Sequence, residues 1–464
     1  MLLLRTLRHL PSKDLRSIRQ WVRCELFNKR EDVMLLCDYL VDHIGKAKDR
    51  DLSPEAMWKA ACPGKPFDEK QMRHLASFLL EEIRQYLAWS EWRNHPADSQ
   101  PMLLRALRNR NLDFLFEKEL DSATQSLQEH PIRDARYHYS KYLLLQEEVE
   151  YTSGNDRSAK LNLQPLPDEL TVFYLSEMLR HACLARVHQS VAGQAYKIEL
   201  MEVILSNAGK KTMLQVPAIA VYYHAYRMLE APQEDEALEQ LKQALFEHET
   251  RFPPEEMRVL YLMAINGCIR RMNAGRKSYV REAFELYNVA LERNFLKENG
   301  RLSGFTYKNI LRVAAGMGAY EWAEQFLETQ KAALHPRERE NLYRYNLAYL
   351  YFKRQDFAQA MPLLQQVELD DVLNNLDARR MLLQTYYQLK EWEALESLFQ
   401  SFGAYLRRQK NLDYHRTTNE NLIHYAKRLV EIDRRDKLAL LALRNEINSR
   451  NDIAEKGWLL ECID

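Results

Sequence analysis

Apolar residues recur along the chain at the spacing of an amphipathic helix. Near the start, Leu3, Leu7 and Leu10 fall at positions i, i+4 and i+7, which lie on one face of a helix. The same spacing continues in three further stretches, Leu15, Ile18 and Val22, then Val33, Leu36, Cys37 and Leu40, then Met72, Leu75, Phe78, Leu79, Ile83 and Leu87. The pattern therefore predicts an all-α protein.

The first 95 residues are predicted to form a small helical domain. A helix start is expected at Ser53-Pro54-Glu55, because Ser accepts bonds from free amides, Pro fits the first turn and Glu suits the helix dipole. A longer helix is expected from about Asp68 to Trp92. The stretch 94–101 contains His, Pro, Asp and Ser and predicts a linker. A second domain is then expected over residues 101–464.

From residue 101 onward helices are predicted to come in pairs. The second helix of successive pairs carries a three-residue motif: a small residue at position i, a large one at i+4 and a third residue, small in the clearest copies, at i+7. Neighbouring copies of the motif lie 35–46 residues apart. The small residue lets two helices approach closely, and stacked hairpins bury a continuous core. The copies are Ala237/Leu241/Ala244, Ala283/Tyr287/Ala290, Ala323/Leu327/Gln330, Ala360/Leu364/Val367 and the coarser Leu395/Phe399/Phe402.

Residues 346–360 closely resemble a tetratricopeptide repeat. Leu347-Ala348-x-x-Tyr351 matches the first helix of that repeat, and Asp356-Phe357-x-x-Ala360 matches the turn into the second helix. The resemblance is best over residues 303–402 and implies an irregular tetratricopeptide-like solenoid of α-α hairpins, preceded by the small helical domain. Degenerate copies of the turn are Tyr320-Glu321-Trp322-Ala323 and Glu391-Trp392-Glu393-Ala394-Leu395.

The chain also departs from the family pattern. Gly is missing at the usual small position, and the spacing exceeds that of the family repeat. Pro362 falls inside a predicted second helix, so a kink or a late helix start is expected there. The N-terminal region, with Phe27-Asn28-Lys29 and Cys62-Pro63-Gly64-Lys65-Pro66-Phe67, resembles the start of a group of uncharacterised bacterial helical-repeat proteins, which implies no particular activity.

The composition agrees with helices and disfavours several other classes. The chain has only 13 Gly and 15 Pro in 464 residues, and many more Leu than Val, Ile and Thr, which disfavours a β-sandwich, a β-barrel or a Gly-looped nucleotide fold. Its 66 basic and 66 acidic residues cancel, so it is not a generic polycation for nucleic acid. The charges are nevertheless segregated, since residues 1–30 and 405–450 are basic and residues 230–257 are acidic.

No stretch of the sequence predicts a membrane span or a secretory signal. Strictly apolar runs are far shorter than the roughly 20 residues that a spanning helix needs, and the start has its apolar residues before its charges. The six Cys form no C-x-x-C pair, and scattered thiols without such pairs are typical of reduced proteins. We therefore expect a cytoplasmic protein without membrane insertion.

The sequence has no motif that predicts catalysis, a cofactor or a metal. The stretch 209–212 ends like a phosphate-binding loop, but Leu205 stands where that loop requires Gly. His181 and His188 share a helix face, and His138 and His224 lie on other predicted helices, but no Cys or carboxylate completes a four-ligand zinc site by spacing. The chain is therefore expected to be no enzyme and to hold no cofactor or metal.

The resemblance to tetratricopeptide domains implies a concave peptide-binding groove on the first helices of the pairs. In that family, Asn, Lys and Arg on these helices hold an extended peptide or its carboxylate, and Asn309 and Asn346 match the position that bonds the peptide backbone. The implied function is a non-enzymatic scaffold or adaptor for a protein or peptide partner, although the Tyr residues also fit simple packing between helices. The other matching residues are Lys308, Arg312, Tyr345, Tyr349, Lys353, Arg380, Gln384 and Tyr387.

A second hypothesis is a nucleic-acid-associated regulator. Its basic N-terminal domain would contact phosphates through Arg5, Arg8, Arg16, Arg19 and Arg23. A solvated helix face is the favoured interpretation of these residues, because no aromatic stacking positions or recognition helix accompany them. The acidic and basic segments also suggest pairing with each other or with a second copy of the chain.

Overall fold

The chain is almost entirely helical in the computed structural model, which describes residues 1–44, 52–155, 160–367, 369, 371–409 and 412–463. Over these residues it forms 23 α-helices and one two-stranded antiparallel hairpin, so the predicted all-α helical-repeat class is confirmed. The protein divides into two compact units, Met1–Pro131 with Ala135–Tyr174, and Ile132–Asp134 with Leu175–Asp464. The division at residue 174 lies well beyond the predicted boundary at 95–101.

The described part of the first unit consists of helices joined by short connections. Helix α9 (Pro165–Ala192) runs through the division between the units. The helices before it are α1 (Leu2–His9), α2 (Ser12–Val22), α3 (Glu31–His43), α4 (Pro54–Ala61), α5 (Glu69–Asn94), α6 (Pro96–Arg108), α7 (Asp113–Glu129) and α8 (Ala135–Asn155).

Helices α1–α5 share one hydrophobic core, to which each predicted apolar stripe contributes. Leu3, Ile18, Leu36 and Leu79 are almost completely buried in it. Phe78 is the exception, because its side chain is 52 % exposed and lies under the guanidinium of Arg30, 4.3 Å from the ring centroid. The expectation that Phe78 joins the core face of α5 is therefore wrong.

The expected helix starts of this region are confirmed by their caps. The Ser53 hydroxyl accepts a hydrogen bond from the amide of Ala56 at 3.2 Å, and the Asp68 carboxylate accepts one from Gln71 at 3.0 Å. Each cap satisfies an amide that has no partner within the helix. Local sequence chemistry therefore decides where α4 and α5 begin.

The structure corrects what was expected at two prolines. Most of the predicted linker 94–101 is helical, because Asn94 ends α5 and residues 96–101 begin α6, with Pro96 at the first helical position and Pro101 inside the helix. Helix α18 begins at Phe357, before Pro362, so of the two expected effects, a kink or a late start, the late start does not occur. Proline suits the first turn because its φ is already helical, and further in it removes an amide donor and crowds the carbonyl four residues earlier. Short helices tolerate that loss when neighbouring helices pack against them.

The second unit continues from α9 as a series of paired helices. Strands β1 (Lys297–Glu298) and β2 (Arg301–Leu302) form a tight hairpin before α15. The helices are α10 (Met201–Ala208), α11 (Pro217–Glu230), α12 (Asp235–His248), α13 (Pro254–Asn273), α14 (Tyr279–Glu292), α15 (Gly304–Gly316), α16 (Tyr320–Gln330), α17 (Arg339–Lys353), α18 (Phe357–Gln365), α19 (Val372–Leu389), α20 (Trp392–Arg408), α21 (Asp413–Glu431), α22 (Lys437–Ser449) and α23 (Lys456–Glu461).

The recurring small residues lie where the helices of a pair pack together. Helices α11 and α12, α13 and α14, α15 and α16, α17 and α18, and α19 and α20 contact each other as consecutive pairs. Ala237, Ala283, Ala323 and Ala360 lie on the second helices and are only 0–4 % exposed. Their burial confirms the interpretation that a small side chain is needed where two helices approach closely.

Three of these pairs are joined by the same turn. Gly318, Gln355 and Lys390 each have a positive φ, of 76°, 62° and 61°, and each lies two residues before the second helix begins. The amide of the next residue returns to a carbonyl five positions earlier, as in Asp356 N to Tyr351 O at 2.9 Å. This helix ending, in which one residue adopts the left-handed αL conformation, satisfies the last carbonyls of the first helix. The repeat seen in the sequence is therefore also a repeat of backbone conformation.

Candidate functional site

The predicted groove residues lie on the first helices α15, α17 and α19. The start of α15 is capped by Ser303, whose hydroxyl accepts from the amide of Thr306 at 3.1 Å. The start of α19 is capped by Asp371, whose carboxylate accepts from the amide of Asn374 at 2.7 Å. These caps fix the residue at which each helix begins. Side chains one and two turns later in the same helix then lie on one face of it. Helix α17 packs against both α15 and α19.

Polar side chains connect α15 directly to α19. The Lys308 ammonium donates to the Asn374 side-chain oxygen at 2.7 Å. The Arg312 guanidinium donates to the Asp377 carboxylate at 2.6 Å, and the Tyr345 hydroxyl of α17 donates to the same carboxylate oxygen at 2.5 Å. Asp377 therefore joins all three first helices through one carboxylate.

The charges on these helices are partly removed from water. Burial, followed by the neighbouring positive charge of Arg312, lowers the pKa of the Lys308 ammonium. Burial and the nearby Asp377 carboxylate raise the pKa of the Tyr345 hydroxyl, so it remains a hydrogen-bond donor at neutral pH. Asp377 therefore neutralises part of the positive charge on this surface, and Asp371 also acts on Lys308.

Four of the predicted groove residues are buried instead of lining an open groove. Asn346 is 1 % exposed and donates to the carbonyl of Leu342 at 2.7 Å, within its own helix. Tyr345, Gln384 and Tyr387 are also buried. The expectation that these side chains face a peptide is corrected, because neighbouring helices cover them.

Tyr387 illustrates how that covering occurs. Its ring packs edge-on against Trp392 and Trp458, with centroids 5.7 and 5.3 Å away, and Arg434 donates to its hydroxyl. Trp458 lies on α23, far along the chain from α19. The sequence could not show that this late helix returns to cover Tyr387.

The remaining predicted groove residues are accessible to different degrees. Asn309 is half-buried and forms a side-chain hydrogen bond with Tyr287 of α14. Arg380 is half-buried between Asp377, at 3.5 Å, and Glu455, at 3.7 Å. Lys353 is exposed, with its ammonium 5.6 Å from the centroid of the Tyr349 ring.

Two exposed apolar residues on the same helices were missed by the sequence interpretation. Phe305 of α15 is 73 % exposed, and the Lys308 ammonium lies 5.1 Å from the centroid of its ring. Leu373 of α19 is 50 % exposed and precedes Asn374, the partner of Lys308. Their positions one turn away from polar first-helix residues were the signal that could have identified them. The α15–α19 surface, as used below, comprises Phe305, Lys308, Arg312, Tyr349, Lys353 and Leu373.

The N-terminal arginines are partly neutralised by neighbouring acids. Arg19 forms ion pairs with Asp38, at 3.3 Å, and with Asp42, and Arg23 pairs with Asp38 at 2.6 Å. Arg5, Arg8 and Arg16 are exposed on α1 and α2. Ion pairing of Arg19 and Arg23 makes both residues poorer phosphate ligands than their sequence positions suggested.

The acidic segment is also paired locally. Within the second unit, Asp235 pairs with Arg276 at 2.5 Å and Glu249 pairs with Arg293 at 2.7 Å. These partners lie outside residues 405–450, so the acidic residues that they engage are not joined to the basic C-terminal segment. Pairing with a second copy of the chain stays a prediction.

Two of the histidines that the sequence analysis considered as metal ligands each lie beside a glutamate. His138 shares a 2.7 Å contact with Glu169, and His181 lies 3.4 Å from Glu177. Across the residues that the structure describes, no three His, Cys, Asp or Glu side chains are grouped so that they could hold a metal ion.

Comparisons with known proteins give this chain no relative from which a role follows: no family, curated protein or solved structure matches it. None of the helices within the described ranges is long and apolar enough to cross a membrane. The function must therefore be inferred from the surfaces of the protein.

Proposed function

We propose that the chain is a non-enzymatic, tetratricopeptide-like scaffold that binds a segment of a partner protein on the α15–α19 surface. The observation that supports this most is that two exposed apolar side chains, Phe305 on α15 and Leu373 on α19, accompany the basic residues Lys308 and Arg312 on α15 and Lys353 on α17. Exposed apolar groups bordered by charged ones are typical of protein-interaction sites.

The partner segment is proposed to carry both acidic and large apolar side chains. Asp377 pairs with Arg312 at 2.6 Å, whereas Lys308 donates to the neutral Asn374 and Lys353 is exposed over the Tyr349 ring, so this surface retains capacity for a further carboxylate. Full burial of an exposed Phe contributes about 1.5–3 kcal/mol. Phe305 therefore supplies affinity, and the basic residues supply preference for acidic partners.

A cytoplasmic location is part of the same proposal. Cys37, Cys183 and Cys268 are buried in helices as free thiols. Burial raises the pKa of Cys37, to about 12, and that of Cys268, also to about 12, so these thiols are poorly reactive. Buried free thiols of this kind fit a reducing compartment.

The nucleic-acid alternative is not developed further, because Arg19 and Arg23 already have acidic partners. That alternative still makes a distinct prediction, namely binding to duplex DNA at low salt that is lost as salt rises. Binding of that kind would favour Arg5, Arg8 and Arg16 as the functional surface.

A random peptide library selected on the full chain tests the proposed function. Selected peptides should combine Asp or Glu with large apolar residues, and both F305A and K353A should weaken their binding at least fivefold in fluorescence anisotropy. Arg312 is left unchanged because its contact with Asp377 supports the fold.

F246A is the matched control for F305A. Phe246 is 76 % exposed on the second helix α12, so the two Phe residues have nearly equal exposure on different helices. The control should bind the selected peptides like the unmodified protein. Equal losses in both variants, or a selection that contains no acidic peptides, would contradict the proposed site.

A further inference from the structure

A polar cavity of about 310 Å³ opens in the first hairpin of the second unit. It lies between α11 and α12 and is closed at one end by the short 3₁₀ turn Met213–Gln215. Its volume is at the lower end of the range for small-molecule sites. None of its lining residues belongs to the α15–α19 surface.

Two small residues create this space. Ala220 of α11 and Ala244 of α12 both line the cavity, and their side chains fill little of the gap between the helices. One turn further along each helix come His224 and His248, which also line it. The helical repeat thus places two small side chains one turn away from two imidazoles.

The rim carries a single negative charge. Glu247 is the carboxylate among the described residues that line the cavity, and no Lys or Arg lines it. Burial lowers the pKa of both His224 and His248. The imidazoles are therefore neutral at pH 7, and the charge facing the cavity is that of Glu247.

The polar groups of the cavity are oriented by one another. Gln240 donates its amide to Glu236 at 3.0 Å, which leaves the Gln240 carbonyl oxygen to accept a hydrogen bond from the His224 ring. The other ring nitrogen of His224, Nδ1, is buried and has no hydrogen-bond partner within the described residues. A neutral imidazole held in this way presents a lone pair on Nδ1.

We propose that this cavity binds an organic cation, namely a protonated amine or a guanidinium on a short apolar stem. Glu247 balances the positive charge, and the Gln243 oxygen accepts an N–H donor beside the two neutral imidazoles. The stem packs on Ala220 and Ala244. A metal cation does not fit, because no metal-binding group of three His, Cys, Asp or Glu occurs among the residues described.

The same arrangement gives the binding a pH dependence of defined sign. As pH falls through the lowered pKa of His224 and His248, both rings become cations and repel the ligand. Arg227 near His224 and Arg251 near His248 lower these pKa values further, whereas Glu247 raises that of His248. Affinity should therefore fall as the pH drops below the lowered pKa values of the two rings.

Isothermal titration of the full chain with n-butylguanidinium at pH 7.5 and low salt tests this inference. Binding is expected, with E247Q weakening it at least fivefold and E255Q, an exposed acid on α13 outside the cavity, changing it less than twofold. Butyramide and butyrate, which have a similar stem without a positive charge, should not bind. Absence of n-butylguanidinium binding, equal binding of butyrate, or no effect of E247Q would overturn the proposal.

Two further arms refine the result. An NMR titration of the two imidazoles locates the pH range in which they become cations. Binding of n-butylguanidinium should weaken at least fivefold across that range, and H248Q should reduce the loss; an affinity that stays unchanged while both rings titrate would also contradict the proposal. Comparing n-butylguanidinium with acetyl-arginine-amide distinguishes a free small molecule from an arginine of a partner protein. Tighter binding of the peptide form assigns the cavity to a protein ligand, and tighter binding of the free cation assigns it to a metabolite.

Discussion

Individual carboxylates in this protein contribute differently to its stability, depending on the groups that contact them. Asp377 accepts from both Arg312 and Tyr345 and so connects three helices. Glu285 forms a 3.0 Å contact with Arg281, one turn earlier on α14, and the two side chains are 53 % and 76 % exposed. A carboxylate shared by partly buried donors contributes more to folding than one in a solvent-exposed pair.

The change D377N tests this difference. It should lower the free energy of unfolding by about 1–3 kcal/mol, because Arg312 and Tyr345 lose their shared acceptor charge. The control E285Q should change it by less than about 0.5 kcal/mol. Urea unfolding followed by circular dichroism measures both, and equal effects would show that Asp377 has no special role.

Glu256 should make stability depend on pH. Burial is the largest cause of the raised pKa of its carboxyl, and the Tyr222 hydroxyl donates to it at 2.7 Å. Because the folded state holds this proton more tightly than the unfolded state, the stabilisation is present below about pH 4.3 and is lost as pH rises through the folded pKa. We predict that E256Q is more stable than the unmodified protein at pH 7, and that this advantage shrinks toward pH 4.5.

Urea titrations at several pH values measure that prediction. E255Q is the control, because Glu255 is the exposed neighbour on the same helix turn. It should not show the same trend. A stability difference for E256Q that stays constant from pH 7 to pH 4.5 would contradict the role assigned to Glu256.

At the scale of elements, short-range rules decide the helices and long-range packing decides which faces are exposed. Caps at Ser53, Asp68, Ser303 and Asp371 agree with local chemistry. Proline was misjudged because its cost depends on how far into a helix it lies. Phe78 has the correct helical spacing but is exposed, with the Arg30 guanidinium over its ring.

The left-handed turn residues offer a test at this scale. Lys390 has φ 61° and carries a side chain in a conformation that favours Gly. K390G should therefore raise the free energy of unfolding by about 0.5–1 kcal/mol. Q388G, two residues earlier inside α19, should lower it by about the same amount because Gly weakens a helix interior. The same sign for both variants in thermal or urea unfolding would contradict this assignment.

At the scale of the whole molecule, each compact unit has a core of its own. Leu36 lies in the core of α1–α5, and Leu383 lies in the core formed around α17–α23. Stability in helical-repeat proteins is local, because each element contacts mainly its sequence neighbours. Damage to one core should therefore remain confined to it.

L36A and L383A provide a matched pair of core truncations. Each should cost about 2–5 kcal/mol of local stability, because it leaves a cavity in a buried core. Hydrogen exchange measured by mass spectrometry should accelerate in α1–α5 for L36A and in α17–α21 for L383A. Acceleration of both regions by either change would show that the two cores unfold together.

Much of the architecture followed from the sequence, because periodicity, small residues and caps act over a few residues. These features were sufficient for the helix class and for the recurring hairpins, whereas the αL turn after three first helices was not predicted. The candidate groove residues lie on three first helices. Their role in peptide binding was implied by the resemblance to tetratricopeptide repeats and stays a prediction.

Only tertiary packing decided which of those residues meet solvent. Asn346 has the spacing of a groove residue but is buried, and Tyr387 is covered by Trp458 from a helix some 70 residues later. Phe305, in contrast, stays exposed although it is one of the largest apolar side chains. Burial depends on contacts between segments that are distant in the sequence. Helical periodicity contains no information about which distant segment packs against a given helix face.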